Sequence, residues 1–540
     1  MVASRTVPQT RATGVAVVDP RRAAPIAVAA VLAAAYLVWR PASLDLAAAE
    51  YRAWLYDHAG FAIWDARWYG GHHLPGYSVL FPPLAGWLGA RLLGALAIVA
   101  ATSLFERIAW TRSGPDAWPA ATWFALGVAG TLYSGRITFL LGLVPALACV
   151  LALQRERRAL AVALALLTPL ASPVAALFLA LAGVAHALAA RRATGFALAV
   201  AALAPVALLA LAFPEGGTEP FVSSAFWPVV GLALVALLLL PREERALRIG
   251  VALYALVAIS LFMFDTPVGG NVARLGSLFA GPLAALILWP RRPLALACVA
   301  PALLWWQLGP AILDVSTAEG DPSVAAAYYA PLLAELERRG ADGSEGRLEI
   351  PFTKVHWEAR HVAPAIPLAR GWERQLDRKV NALFYDDARL TAGRYRAWLD
   401  RAAVRWVAVP DVPLDYSADD EAALIARGLP YLREVWRSAH WRLYAVERPR
   451  PLADPPARVL AAGADSWMLA LPRAASVRLR VRWSPYWAVT DGDACVAPDR
   501  EWTRLRARSA GTVRLTMRFS PLRIGSEAAR CGDPTAVNNG

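Results

Sequence analysis

Residues 195–213 read GFALAVAALAPVALLALAF, an uncharged apolar run that follows Arg191-Arg192 by two residues. About 20 residues of helix, rising 1.5 Å each, cross the roughly 30 Å hydrocarbon layer of a bilayer. The run therefore has the length and composition of a transmembrane helix, and its arginine pair marks the cytoplasmic mouth. Working outward, further runs of this kind lie at about 24–39, 84–105, 117–133, 137–154, 159–170 and 173–190 on one side, and at about 224–241, 247–264, 274–290 and 293–310 on the other. The runs at 159–170 and 173–190 are short, and Pro169 and Pro173 between them suggest a bent hairpin or a single broken element.

The chain as a whole agrees with this reading. Over 540 residues, 57% are hydrophobic and 18% charged, and the mean hydropathy is +0.40, which excludes an ordinary soluble globular protein. The net charge of +13 is almost all arginine, since only Lys354 and Lys379 are lysines. It forms no long single-sign tail, so no nucleic-acid partner is expected. Short basic clusters recur at Arg21-Arg22, Arg107 with Arg112, Arg155 with Arg157-Arg158, Arg191-Arg192, Arg242 with Arg245 and Arg248, and Arg291-Arg292. An odd number of spans puts them on one face, with the N-terminus inside and everything after about residue 311 outside. The first 23 residues lack an apolar signal core and cleavage site, so the first span reads as a retained anchor.

The expected fold class is a polytopic α-helical membrane protein of about 11 transmembrane helices, carrying a C-terminal exocytoplasmic α/β domain and a β-sandwich-like domain. The boundaries read as a cytoplasmic segment 1–23, a bundle 24–315 with a long first external loop 40–83, an α/β domain 316–450, a β-rich domain 451–525 and a flexible tail 526–540. Within these, 324–339 has a helical pattern, 404–409 and 441–446 read as short strands, and the alternation at 476–483 and 512–519 predicts antiparallel β. Cys149 and Cys298 lie in apolar runs and read as small hydrophobes. Cys495 and Cys531 are a candidate disulfide if their region is exocytoplasmic and their Cα atoms come close enough.

The loop after the first span carries the candidate chemistry. Residues 41–84 read PASLDLAAAEYRAWLYDHAGFAIWDARWYGGHHLPGYSVLFPPL and hold Asp45, Glu50, Asp57 and Asp65 among many aromatics. One or two interfacial helices are expected, with Trp54, Trp64, Trp68 and Tyr69 in the headgroup layer, where amphipathic rings are favoured. A carboxylate just past the first span, the W-D-x-x-W-Y-G-G segment from Trp64 to Gly71 leading into Y-S-V-L-F-P-P-L, many further spans and a C-terminal outer domain together resemble the C-type (GT-C) superfamily of polytopic glycosyltransferases. That resemblance implies a polyprenyl-phosphate-linked sugar donor, an envelope glycan, lipid or protein acceptor, and a bacterial plasma membrane location. It also implies that the first-loop carboxylate, Asp45 here, acts as catalytic base or helps hold a divalent cation such as Mg or Mn. No DxD accompanies Asp45, which is followed by Leu46 and Ala47.

Physical argument supports the same residues. Transfer to a hydroxyl needs a base within hydrogen-bond reach of the acceptor oxygen, and Asp45 lies a few residues beyond the span, where a lipid-borne phosphate would sit. The alternative is that Asp45 caps a helix beginning at Leu46. Asp65 is the second catalytic candidate. Arg136, in YSGRITF, and Arg274, in DTPVGGNVARLG, lie outside against the positive-inside bias and are candidates to hold the phosphate. The alternatives are snorkelling to headgroups, or pairing with Asp265 or a loop carboxylate. His72, His73, Tyr77 and Glu50 complete the substrate-binding candidates, although neighbouring histidines on one strand face opposite ways.

In the outer domain, TKVHWEARHVAP and LARGWERQLDRK set Trp357 and Trp372 among His356, His361, Arg370 and Arg374. That mixture suits either carbohydrate or a salt-bridged surface, and His356 with His361 is a candidate metal pair. The expected function is sugar transfer at the outer membrane face. A transporter or flippase of lipid-linked precursors is the alternative, although the spans at 195–213, 224–241 and 247–264 hold almost none of the midplane charge it would use.

Overall fold

The computed structural model describes residues 19–190, 192–386 and 390–531. Most of the N-terminal segment, Arg191 and the end of the tail lie outside these. Helices α1 (Pro20–Trp39), α2 (Leu44–Ala59), α3 (Phe81–Leu88), α4 (Ala90–Ser113), α5 (Trp118–Tyr133), α6 (Ile137–Gln154) and α7 (Arg158–Ala171) form the first half of the bundle. The second half comprises α8 (Pro173–Ala190), α9 (Ala193–Ala212), α10 (Ser223–Leu239), α11 (Arg245–Met263), α12 (Ala273–Leu288) and α13 (Pro293–Ala318). Among the described residues, eight helical runs are long and apolar enough to cross a membrane; one of them, Ala90–Tyr133, contains both α4 and α5 around a turn at Gly114–Ala117. The apolar helices α7 and α10 are shorter, at 14 and 17 residues.

Local chemistry sets the breaks. The run at 159–170 and 173–190 is two helices, because the ring of Pro173 forces Ser172 into extended backbone at φ −155°. The expected span at 84–105 divides at Gly89, whose φ of +81° turns α3 away from α4. Lipid tails give no hydrophobic drive between helices, so small residues let backbones meet. A Cβ on Gly195 of α9 would lie 2.4 Å from the Gly183 carbonyl of α8.

Beyond α13 come α14 (Ala326–Arg338), α15 (Glu358–His361), α16 (Arg374–Val380), α17 (Ala392–Arg401) and α18 (Asp419–Ala426). Loop one contributes the two-residue strands β1 (Trp64–Asp65) and β2 (His72–His73), paired antiparallel. Strands β3 (Arg347–Glu349), β4 (Val404–Pro410), β5 (Leu432–Arg437) and β6 (Trp441–Val446) make a mixed sheet ordered β3-β4-β6-β5, with β3 parallel to β4. Then β7 (Arg458–Ala462), β8 (Ser466–Leu471), β9 (Ala475–Arg482), β10 (Trp487–Asp491), β11 (Ala494–Asp499), β12 (Trp502–Ala507) and β13 (Gly511–Met517) form two sheets, β10-β13-β8-β7 and β11-β12-β9. Inward residues of both sheets, among them Leu469, Leu479, Leu505 and Leu515, share one core, so the unit is a β-sandwich. Cys495 of β11 is disulfide-bonded to Cys531, with Cα atoms 5.0 Å apart.

Both C-terminal units pack on the end of the bundle that carries loop one. Trp372 Nε1 donates to the Leu44 carbonyl at 2.9 Å, the Tyr486 hydroxyl to that of Ala212 at 2.7 Å, and the Arg482 amide to that of Gly70 at 2.8 Å. This corrects the expectation for the loop aromatics. Trp64, Trp68 and Tyr69 are buried in protein rather than set among headgroups. Trp68 stacks on Tyr51 at 4.3 Å between centroids, and a Cβ on Gly371 would come 2.4 Å from its ring. A large ring gains as much from a dry protein surface as from the interface, and that surface is supplied some 300 residues later in the chain.

Candidate functional site

Helix α2 begins at Leu44 with Ser43 in the N-cap position, so Asp45 is inside the first turn and does not cap the helix. Its carboxylate turns to Arg136, whose Nε lies 3.3 Å from Oδ2. The approach depends on Gly135. At φ +77° it turns the α5–α6 link, and a Cβ there would sit 2.5 Å from the Leu46 amide nitrogen. The other side of the Arg136 guanidinium is 3.6 Å from Asp314 Oδ2, in the last turns of α13.

Arg274, near the start of α12, completes the group. Its charged neighbours are Arg136, Asp45 and Glu219, with Tyr77 beside them, and its guanidinium carbon lies 5.8 Å from the centre of the Phe139 ring. Among the described residues no carboxylate comes within ion-pair distance of it. Arg136 and Arg274 line a small, partly open cleft with Thr131, Ser134, Phe139 and Gln307. Gln307 is held in place: its amide oxygen accepts from Trp123 Nε1 at 2.8 Å and its nitrogen donates to the Leu278 carbonyl at 3.0 Å. From the loop after α9, burial raises the Glu219 carboxyl above its ordinary range, against the pull of Arg374 and Arg274. Arg374 belongs to the α/β domain that follows α13 and is clamped by Asp415 at 2.7 Å, so that domain reaches the rim of the group.

Three sequence candidates, Asp45, Arg136 and Arg274, thus meet, with Tyr77 at their edge, where it hydrogen-bonds Thr138 at 3.3 Å and lies under Arg52 at 3.8 Å. The others are elsewhere. Glu50 pairs with Arg91 at 3.0 Å. Asp65 is fully buried, accepting from the Tyr51 hydroxyl and the Arg67 amide, each at 2.9 Å, and burial raises its carboxyl to about 6. His72 is buried beside Arg52, and burial lowers it to about 3. His73 points the opposite way, with Nε2 3.1 Å from Ser484 Oγ and Nδ1 2.7 Å from Glu215 Oε1. That line of groups has the order of a hydrolytic triad, but Ser484 is 0% exposed and no substrate reaches it. It ties loop one to the loop after α9 and to the sandwich.

The sequence reading passed over Asp314 and Glu219. Asp314 lies only four residues past the expected end of its span, and a lone carboxylate so close to a membrane boundary was the available signal. Much of the charged stretches of the domain after α13 is buried rather than exposed. Arg370 is enclosed between Phe352 and Phe384, at 3.9 and 4.1 Å, and pairs with Asp377 at 2.7 Å. His356 stacks on Trp372 at 3.5 Å, while His361 bonds the Val324 carbonyl. Among the described residues, no three His, Cys, Asp or Glu side chains are placed to hold a metal ion. No protein-family model matches the chain, and no curated protein matches it.

Proposed function

We propose that the protein is an integral membrane glycosyltransferase that moves a sugar from a polyprenyl-phosphate-linked donor to an envelope glycan, lipid or protein at the outer face of a bacterial plasma membrane. In this reading all eleven apolar helices cross, the N-terminus is cytoplasmic and both C-terminal units are outside. The observation that carries it is a pair of guanidiniums beside one cleft: Arg136, held between Asp45 and Asp314, and Arg274, which has no carboxylate within ion-pair distance among the described residues. A guanidinium without a direct ion pair beside an open cleft can take an anionic ligand, and its planar fork of donors suits a phosphate.

The chemistry follows from the arrangement. The acceptor hydroxyl oxygen attacks the anomeric carbon, the bond from that carbon to the phosphate oxygen breaks, and the hydroxyl proton passes to the Asp45 carboxylate. Arg274 stabilises the charge that grows on the departing phosphate. Asp314 balances Arg136 and holds it in position, so that Asp45 need not do so alone. A single displacement inverts the anomeric centre. Asp65 has no part, since both its oxygens are occupied in the buried seam.

The test supplies purified protein in detergent with a labelled polyprenyl-phosphate sugar and compares Asp45→Asn. Transfer or hydrolysis that falls about 100-fold or more in the variant is expected for loss of a general base. Undiminished turnover removes Asp45 from that role. No turnover with any such donor, together with movement of the lipid across liposomes, favours a transporter instead.

A further inference from the structure

The strand β13 ends against the bundle. Phe519, two residues past it, packs at a tilt against Phe213 at 5.5 Å and against Tyr486 at 5.2 Å between ring centroids. Phe213 immediately follows α9, and the Tyr486 hydroxyl is bonded to the last carbonyl of that helix, Ala212. The last two turns of α9 present Leu208 and Leu211 outward, on the surface that meets lipid. The segment after Phe519 is therefore held at the level where a membrane helix leaves the hydrocarbon. It makes a single 3-10 turn, Pro521–Arg523, pinned by the Arg523 Nε bond to the Pro485 carbonyl at 3.0 Å.

What this turn exposes is apolar. Leu522 is 95% exposed, and Phe519 and Ile524 are 47% and 42% exposed, the first being still half open after its packing against Phe213. In a domain whose other outward strand positions are mostly polar or charged, three large apolar side chains within six residues need a partner. Arg518, exposed beside them, is placed to meet anionic headgroups.

We propose that residues 519–524 dip into the outer leaflet as a monotopic contact, fastening the β-sandwich to the bilayer beside α9. The occupant of this apolar face is the lipid surface, because the Phe213–Phe519 contact holds the face beside the end of α9, whose neighbouring turns expose Leu208 and Leu211. Insertion of Leu522 and Ile524 removes their exposed apolar surface from water. It adds a second attachment to the hydrogen bonds that already hold the outer domains to the bundle.

The test does not depend on the donor or on catalysis. In a Cys298→Ser background, which removes the exposed free thiol, Leu522→Cys is labelled with an environment-sensitive fluorophore. The full-length protein is then placed in vesicles of phosphatidylethanolamine and phosphatidylglycerol. Thr512→Cys, at the far end of β13 and roughly 20 Å away at about 3.3 Å per residue, is the reference. A blue-shifted emission at position 522 that spin-labelled lipid quenches and aqueous iodide does not, with the reverse at 512, is the expected result. Equal iodide quenching at both positions, with no quenching from lipid, overturns the proposal.

Discussion

The cavity group at the end of the bundle and the charged core of the outer domain are made of the same residue types, and they differ in which group lacks a direct partner and in what surrounds it. At the cavity, Arg136 is held between Asp45 and Asp314, and Arg274 stands without a direct ion pair among the described residues, with open space beside it. In the outer domain, Arg370 has Asp377 at 2.7 Å, Glu421 at 3.4 Å and a phenyl ring on each face. There the group without a direct partner is a carboxyl, Glu349, buried with neither oxygen bonded. A charge without a direct partner that can reach a ligand is a recognition element. One sealed in a core is neutralised by a proton. Arginine beside carboxylate is thus uninformative until access and pairing are known.

The largest expected effect tests the sealed member. Arg370→Ala leaves Asp377, Glu421 and Glu349 without their shared cation, and removing one partner of a buried pair costs about 3–5 kcal/mol. The loss should appear as early unfolding and protease sensitivity of the outer domain; a change of less than about 1 kcal/mol would mean that this core is not organised by charge. Arg274→Gln should do the opposite. Because that guanidinium has no ion-pair partner to strand, stability is retained, while sugar transfer falls about 10²–10³-fold through loss of one transition-state donor. An Arg274→Gln protein that unfolds but still transfers sugar would dissolve the distinction between the two clusters.

Smaller, and of known sign, is the pH dependence of the outer domain. Burial beside Glu421 holds the Glu349 carboxyl well above its ordinary range, and burial raises Glu421 itself to about 7. An acid whose folded pKa lies above its unfolded value stabilises the fold at low pH and loses that contribution as pH rises. Protection of the outer domain should therefore decline from about pH 5 to about pH 8, and Glu421→Gln should flatten the decline. Asp415 works the other way. Burial alone would raise it, but bonds from His356 and Arg374 outweigh burial and hold it below the carboxylate range, so its contribution is lost only in strong acid. Resistance to proteolysis that climbs between pH 5 and pH 8 would contradict the protonated core.

How much of this was legible in the chain follows from the range of each cause. Lipid imposes a length and a composition on single segments, so the apolar runs could be read locally, as could the strand at Trp441–Val446. Arg136 and Arg274 stood out because external arginines oppose the positive-inside bias, and Asp45 because it follows the first span. Their meeting is a consequence of helix packing that no window reveals. The burial of Trp68 under Gly371, and the contact of His73 with Ser484 across 411 positions, needed surfaces from the other end of the chain. Glu349 reads as an ordinary polar residue ending a short strand; only the sheet and the helices that close over it make it a buried acid.

The smallest expected effect sharpens the border of the cavity group. Glu50 lies about one and a half turns along α2 from Asp45, in the same loop and with the same charge, and only its greater distance from the first span separates the two in the sequence. Its carboxylate is taken up by Arg91 at 3.0 Å, and Arg91 also donates to the Pro41 carbonyl at 2.8 Å, so Glu50 helps to fasten α2 to α4. A partly exposed pair of this kind is worth about 1 kcal/mol or less. Glu50→Gln should accordingly lower stability by no more than that and leave transfer within about twofold of the parent. Were transfer to collapse in Glu50→Gln as it is expected to in Asp45→Asn, the acceptor would have to approach from the α4 side, and the cavity beside Arg274 would be the wrong one.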